Sequence, residues 1–220
     1  TALGYTKPGC RIVSGSIKFD GTELVGKPDV ELRKIRGNKV AYVAQSAAAS
    51  FNPAHTLAEQ FAESPVQHGR MDLSEARKRC VELFRQLDLP DPEHIGERYP
   101  HQVSGGQLQR AMTAMALGSD PDIVIFDEPT TALDVTTQIE VLGAIKEAVK
   151  ARNVAAIYIS HDLAVVAQMA DRIMVLRYGN LIEEGNAPEM LANPKEEYTQ
   201  QLLNVRSQRD AKTDHVEEDI

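Results

Sequence analysis

No apolar run in this chain approaches the roughly 20 residues that a membrane-crossing helix needs, so any role at a membrane is expected to be peripheral. The start, Thr1-Ala2-Leu3-Gly4-Tyr5, lacks the basic flank and apolar stretch of a secretory signal. Cysteine is scarce: Cys10 and Cys80 stand far apart, make no disulfide or metal-ligand spacing, and suit a reducing cytosol. Positive charge is in deficit, with a formal net charge of -8, which matches poorly with a nucleic-acid backbone as main partner. No internal repeat or long linker interrupts the chain. What is there is 220 residues at 42% hydrophobic, enough for one ordinary domain, or one domain plus a small subdomain.

The apolar pattern changes period along the chain. Gly15 to Gly21 reads as a short alternating strand closed by an Asp-Gly turn, and Pro28-Asp29 starts a basic helix through Arg36, stopped at Gly37. Lys39 to Ala44 is another strand, followed by Gln45 and a loop of small residues ending at Asn52-Pro53. From Thr56 to Gly118 the pattern is helical, with Thr56 and Glu59 spaced as a capping box and Leu73 to Leu87 apolar at helical spacing. Ile123 to Phe126 and Ala155 to Ile159 are continuous apolar runs, as expected of strands buried on both faces. A helix from about Thr136 to Arg152 lies between them, an order that implies a parallel α/β sheet. The polar stretch from Arg206 to Ile220 is expected to be disordered.

Each buried strand ends in polar residues: Asp127-Glu128-Pro129 after the first, Ser160-His161-Asp162 after the second. Parallel strands joined by one crossover present their carboxyl ends on one edge, where open α/β sheets bind ligands. Asp127, Glu128 and His161 can therefore converge. One carboxylate there can hold magnesium, and a second can orient or deprotonate an attacking water. An acidic turn with an incidental histidine is the plainer alternative. Ser104-Gly105-Gly106-Gln107 opens another helix, where backbone N–H groups and the helix dipole can receive an anion. Simple capping by Ser104 accounts for the same residues.

The strings occur in a fixed order: Gln45 after a strand, Val103 to Gln107, Ile123 to Pro129, Thr131 to Asp134, then His161. That ordered set resembles the nucleotide-binding domain of ABC ATPases over nearly the whole chain. The resemblance implies a mainly parallel sheet core of a P-loop NTPase with a helical subdomain, using ATP and Mg2+. It divides the chain into a core part over 1–55, a helical subdomain over 56–118, the rest of the core over 119–205 and a tail over 206–220. Gln45 resembles the Q-loop glutamine near magnesium and the attacking water, and Ser104, Gly105, Gly106 and Gln107 the signature loop facing the opposite subunit's ATP. Asp127 resembles the Walker B magnesium residue, Glu128 the catalytic carboxylate, Asp134 the D-loop aspartate and His161 the switch histidine.

Phe51-Asn52-Pro53, Thr56 to Gln60, Asp127 to Thr137 and Pro194 with Tyr198 to Leu203 resemble the oligopeptide and dipeptide importer branch, an ordinary closing amphipathic helix being the alternative for the last. Ser46 to Ser50 departs from it, since that branch often has an acidic residue and proline after the glutamine. The implied partners are a second ATP-binding subunit, identical or not, transmembrane permease subunits and, indirectly, a solute-binding protein, with no nucleic acid. The implied place is the cytoplasmic face of the inner membrane. A soluble ABC ATPase of repair, chromosome structure or translation is the rival, though only 58 residues lie between Gln45 and Ser104, too few for a long coiled coil. A non-hydrolytic structural subunit is a third reading. The phosphate-binding Gly-x-x-x-x-Gly-Lys-Ser/Thr loop does not occur in these residues. The family places it just before Thr1, so the chain is read as truncated, and these residues alone are expected to hold ATP weakly. Phe51 and Leu57 are expected as apolar anchors for the permease, with core packing as the alternative.

Overall fold

Asp20 and Gly21 both adopt positive φ, +47° and +72°, the backbone a tight two-residue hairpin turn requires. They join β1 (Lys18–Phe19) to β2 (Thr22–Glu23) in an antiparallel pair. The computed structural model of the chain describes residues 3–203 apart from Tyr5, Lys7, Pro8 and Ala132. The tail expected to be disordered from Arg206 lies outside the described residues. These residues divide into two units, Thr1–Ile157 and Tyr158–Ile220.

In the first unit, α1 (Asp29–Arg33) is shorter than the helix expected through Arg36. Arg36 leaves helical geometry to bridge Val40, and the Gly37 N–H donates to the Val40 carbonyl at 3.0 Å. That tight loop feeds β3 (Val40–Val43), which pairs in parallel with β4 (Ile123–Asp127). β5 (Ala155–Ile159) lies on the other side of β4, giving the order β3-β4-β5. The central strand meets its expectation, with Val124, Ile125 and Phe126 all buried. β5 does not: Ala155, Ala156, Ile157 and Ile159 are exposed. An apolar run shows that a strand tolerates burial on both faces; which elements cover it is set by the rest of the fold, and the described residues leave β5 open.

The small-residue segment after Gln45, expected as a loop, contains a short helix, α2 (Ala47–Ser50), capped by the Ser46 hydroxyl accepting from Ala49 N at 3.3 Å. α3 (Leu57–Gln67) and α4 (Leu73–Gln86) follow. Both start in a reciprocal capping box: Thr56 with Glu59 at 2.8 and 3.3 Å, and Asp72 with Glu75 at 2.9 and 2.8 Å. Two 3-10 turns, Ile95–Glu97 and Pro100–Gln102, lead into α5 (Gly105–Leu117). The helices share a core of Leu57, Phe61, Leu83, Phe84 and Leu117, all fully buried, with the Phe61 and Phe84 rings edge to face at 6.2 Å. Phe51 and Leu57, at 6% and 0% exposure, belong to this core. Neither is offered to a partner, so the anchor expectation gives way to core packing.

α6 (Val135–Ala151) runs between β4 and β5 and buries Val141, Leu142, Ile145 and Ala148. Its flank is tied to the helical stretch by charge: Arg110 of α5 bonds Glu140 at 3.0 Å, and Asp120 accepts from both Arg79 of α4 and Arg152 at the end of α6. The second unit holds α7 (Leu163–Met169), the antiparallel ribbon β6 (Arg172–Arg177) and β7 (Asn180–Asn186), and α8 (Ala187–Ala192). Ile173, Val175, Ala187 and Met190 form its core. Among the described residues no helix is long and apolar enough to cross a membrane.

Removing the Phe61 ring opens a cavity in a site with no water-accessible side. Phe61→Ala is expected to cost about 3–5 kcal/mol in urea unfolding of the first unit. A loss below about 1 kcal/mol, the range of a surface change, would contradict the core assigned to these helices.

Candidate functional site

The register of the β3–β4 pair decides which polar groups meet. Val40 lies opposite Ile123 and Val43 opposite Phe126, so both strands end level with each other. Side chains alternate between faces along a strand. Ala41, Val43, Val124 and Phe126 therefore share one buried face, while Tyr42, Ile125 and Asp127 share the other. Tyr42 reaches diagonally along that face, and its hydroxyl donates to Asp127 Oδ2 at 2.6 Å.

One residue further on, the strand stops. Glu128 has φ of +47°, a left-handed backbone that costs a side-chain-bearing residue of order 1–3 kcal/mol and that clusters at functional turns. This turn carries the Glu128 carboxylate towards the residue just beyond β3. Gln45 Nε2 donates to Glu128 Oε2 at 3.1 Å, and the Thr131 hydroxyl donates to the same oxygen at 3.1 Å. Gln45, Asp127 and Glu128 are thus brought together by strand register and one strained turn. Their oxygen donors suit a hard divalent cation. Among the described residues no group of three or more His, Cys, Asp or Glu could hold a metal ion.

The second cluster forms at the start of α5. Ser104 caps that helix, its hydroxyl accepting from Gln107 N at 3.3 Å while Gln107 Oε1 accepts from Ser104 N at 2.9 Å. Capping is realised, and it does not consume the site. The N–H groups of Gly105 and Gly106 are first-turn donors with no acceptor inside the helix. Gly106 is fixed by close approach: a Cβ there would sit 2.5 Å from the Thr137 methyl of α6, and one on Gly105 would sit 3.6 Å from Leu133. α5 therefore begins against the first turn of α6, beside Asp134. Asp134 caps α6, its carboxylate accepting from Thr137 N at 3.0 Å. The bond from the Thr137 backbone leads the interactions that hold the Asp134 carboxyl below the usual carboxylate range. Because the folded value is depressed, this cap is in force at neutral pH and is lost as pH falls through it.

His161 follows β5 and lies in the second unit, where the neighbouring Ser160 hydroxyl accepts from Asp162 N at 3.0 Å. Sequence reasoning did not single out Tyr42 or assign a role to Thr131. Tyr42 is visible only once β3 is paired with β4 in a definite register, which no local pattern supplies.

The close approach at Gly106 makes a specific demand. Gly106→Ala should destabilise the chain by about 1–3 kcal/mol through overpacking, and Thr137→Ser, which removes the opposing methyl but keeps the backbone bond to Asp134, should restore most of it. A double-mutant cycle by thermal unfolding measures the coupling. Additive losses would mean that α5 and α6 do not meet there.

Known proteins resemble this chain in sequence and fold. The family model described as ABC transporter matches residues 3–131. The oligopeptide transport ATP-binding protein OppD of Lactococcus lactis subsp. cremoris (strain SK11) is 39% identical over 211 residues, covering 96% of this chain and 62% of the relative. The metal-staphylopine import system ATP-binding protein CntD of Staphylococcus aureus (strain NCTC 8325 / PS 47) is 40% identical over 204 residues, covering 93% and 75%. The chain thus spans about 62% of the length of the lactococcal relative. Among solved structures, the dimeric post-hydrolysis ATP-binding cassette MJ0796, bound to ADP and Pi, superposes with a TM-score of 0.71 at 28% identity, covering 81% of this chain and 75% of that one. Fold and relatives agree, and the chain belongs to the ABC transporter family.

Proposed function

We propose that the whole protein is the ATP-binding subunit of an ABC importer, hydrolysing ATP as a facing pair to drive uptake of peptides or related small solutes. The observation that carries this is the bond from Gln45 to Glu128 across the ends of β3 and β4, at 3.1 Å. It joins the group read as sensing magnesium and the γ-phosphate to the group read as acting on the attacking water. Magnesium, when bound, would offset the negative charge that develops on the nucleotide phosphates. Asp127 would hold that ion, Glu128 orients or deprotonates the water, and Gln45 and Thr131 fix the Glu128 carboxylate. His161 acts near the γ-phosphate. Ser104, Gly105, Gly106 and Gln107 receive the γ-phosphate of the nucleotide held by the second subunit, with Asp134 close to that contact.

The relatives support the transport reading. OppD is named for oligopeptide transport and CntD for metal-staphylopine import. We therefore assign to this protein a second ATP-binding subunit, permease subunits in the membrane and an indirect solute-binding protein. We place it peripherally at the cytoplasmic face. The substrate is a peptide or a metal-chelate-like solute. The helical stretch 56–118 acts as a subdomain moving with the signature residues, and residues 1–55 with 119–205 as the core.

In the full-length protein, Glu128→Gln keeps the shape and removes the base. Turnover should fall by at least about 100-fold with ATP binding retained, and His161→Ala should lower hydrolysis more than binding. Steady-state hydrolysis and equilibrium nucleotide binding, measured side by side, separate the two effects. Near-normal turnover of Glu128→Gln would remove Glu128 from the chemistry.

A further inference from the structure

We infer that Tyr42 is a positioning residue for the Asp127 carboxylate, and so sets how tightly the site takes its divalent cation. This rests on the reading of Asp127 as the metal-holding residue. The strand register brings the two together. Tyr42 lies opposite Ile125, two residues before Asp127, so both side chains project from one face of the sheet. The phenol spans the diagonal and donates to Oδ2 at 2.6 Å, a short bond to a charged acceptor and hence among the stronger kind.

The placement is not explained by packing alone. The opposite face of the same strand pair is closed by Val43 and Phe126, both at 0% exposure, whereas Tyr42 keeps 41% of its surface open. A β-branched residue would serve the strand there equally well. What the tyrosine adds is a hydroxyl at the end of a rigid ring, held by backbone pairing and aimed at one oxygen of Asp127. A carboxylate at a strand end is otherwise free to rotate about its side-chain bonds. Tying down one oxygen leaves the group a single orientation in which to meet a cation. Groups that hold metal-ligating carboxylates in this way change metal affinity by about 10–100-fold when removed.

The test uses the full-length protein with a non-hydrolysable ATP analogue and Mn2+ as the probe, followed by electron paramagnetic resonance. Tyr42→Phe keeps the ring and deletes the hydroxyl. The Mn2+ concentration at half-saturation should rise by about 10-fold, with nucleotide binding in the absence of metal unchanged. Tyr42→Met, which also lacks the hydroxyl, should shift the titration by the same factor. A Tyr42→Phe titration that superimposes on the wild type overturns the inference. So does a shift in Tyr42→Met alone, since the effect would then belong to the ring. Asp127→Asn is the control for the underlying reading: it should abolish saturable binding of Mn2+ by the protein. If it titrates like the wild type, the assignment of Asp127 fails, and the inference falls with it.

Discussion

Everything read from this protein depends on the parallel pairing of β3 with β4. In a parallel pair the ladder fixes not only which residues are opposite but which ends coincide, and here Val43 lies opposite Phe126. The consequence is that Gln45 and Glu128 leave the sheet together, 83 residues apart in sequence, and bond at 3.1 Å. A slip of one residue would turn Tyr42 to the buried face and Val43 to the open one. Burial of Val43 opposes that slip, because Val43 would exchange full burial for the position where Tyr42 keeps 41% of its surface open. The site geometry is thus held by the hydrophobic core beneath it, with the strained backbone at Glu128 as the one local cost.

The helical stretch is attached to that frame at a few points of close chemistry. Gly106 lets α5 meet the first turn of α6, and Arg110 bonds Glu140 further along the same pair at 3.0 Å. Asp120 collects Arg79 from α4 and Arg152 from the end of α6. Burial, then the neighbouring positive charge of Arg79, leads the lowering of the Arg152 pKa, partly offset by Asp120. Asp120 is the anion between two cations, and so the junction of α4, α6 and the turn that enters β4. The elements read as contacting phosphate from the two ends of the chain's chemistry are therefore linked by charge and by close packing.

Much of this was legible without coordinates because it is local. The capping box at Thr56 and the cap at Ser104 follow from side-chain reach over three residues, and the central strand at Ile123 to Phe126 from its apolar run. The ordered strings around Gln45, Ser104, Asp127 and His161 carried the family. What was not legible depends on neighbours distant in sequence. The run Ala155 to Ile159 announces a strand but not its cover, and β5 is exposed. Phe51 and Leu57 are apolar in either reading, and only tertiary packing shows them buried. Tyr42 looks like any strand aromatic until the register aims it at Asp127. The Ser46 to Ser50 segment has no strong period, yet one serine cap suffices for a turn of helix.

The central claim is that the joined ends of β3 and β4 form the nucleotide-facing edge. Hydrogen exchange of the full-length protein with and without a non-hydrolysable ATP analogue and Mg2+ tests this directly. The account predicts that amides at 43–45 and 127–131 gain protection together when nucleotide binds, while those in α4 change little. Nucleotide binding with no change at these two segments would contradict it.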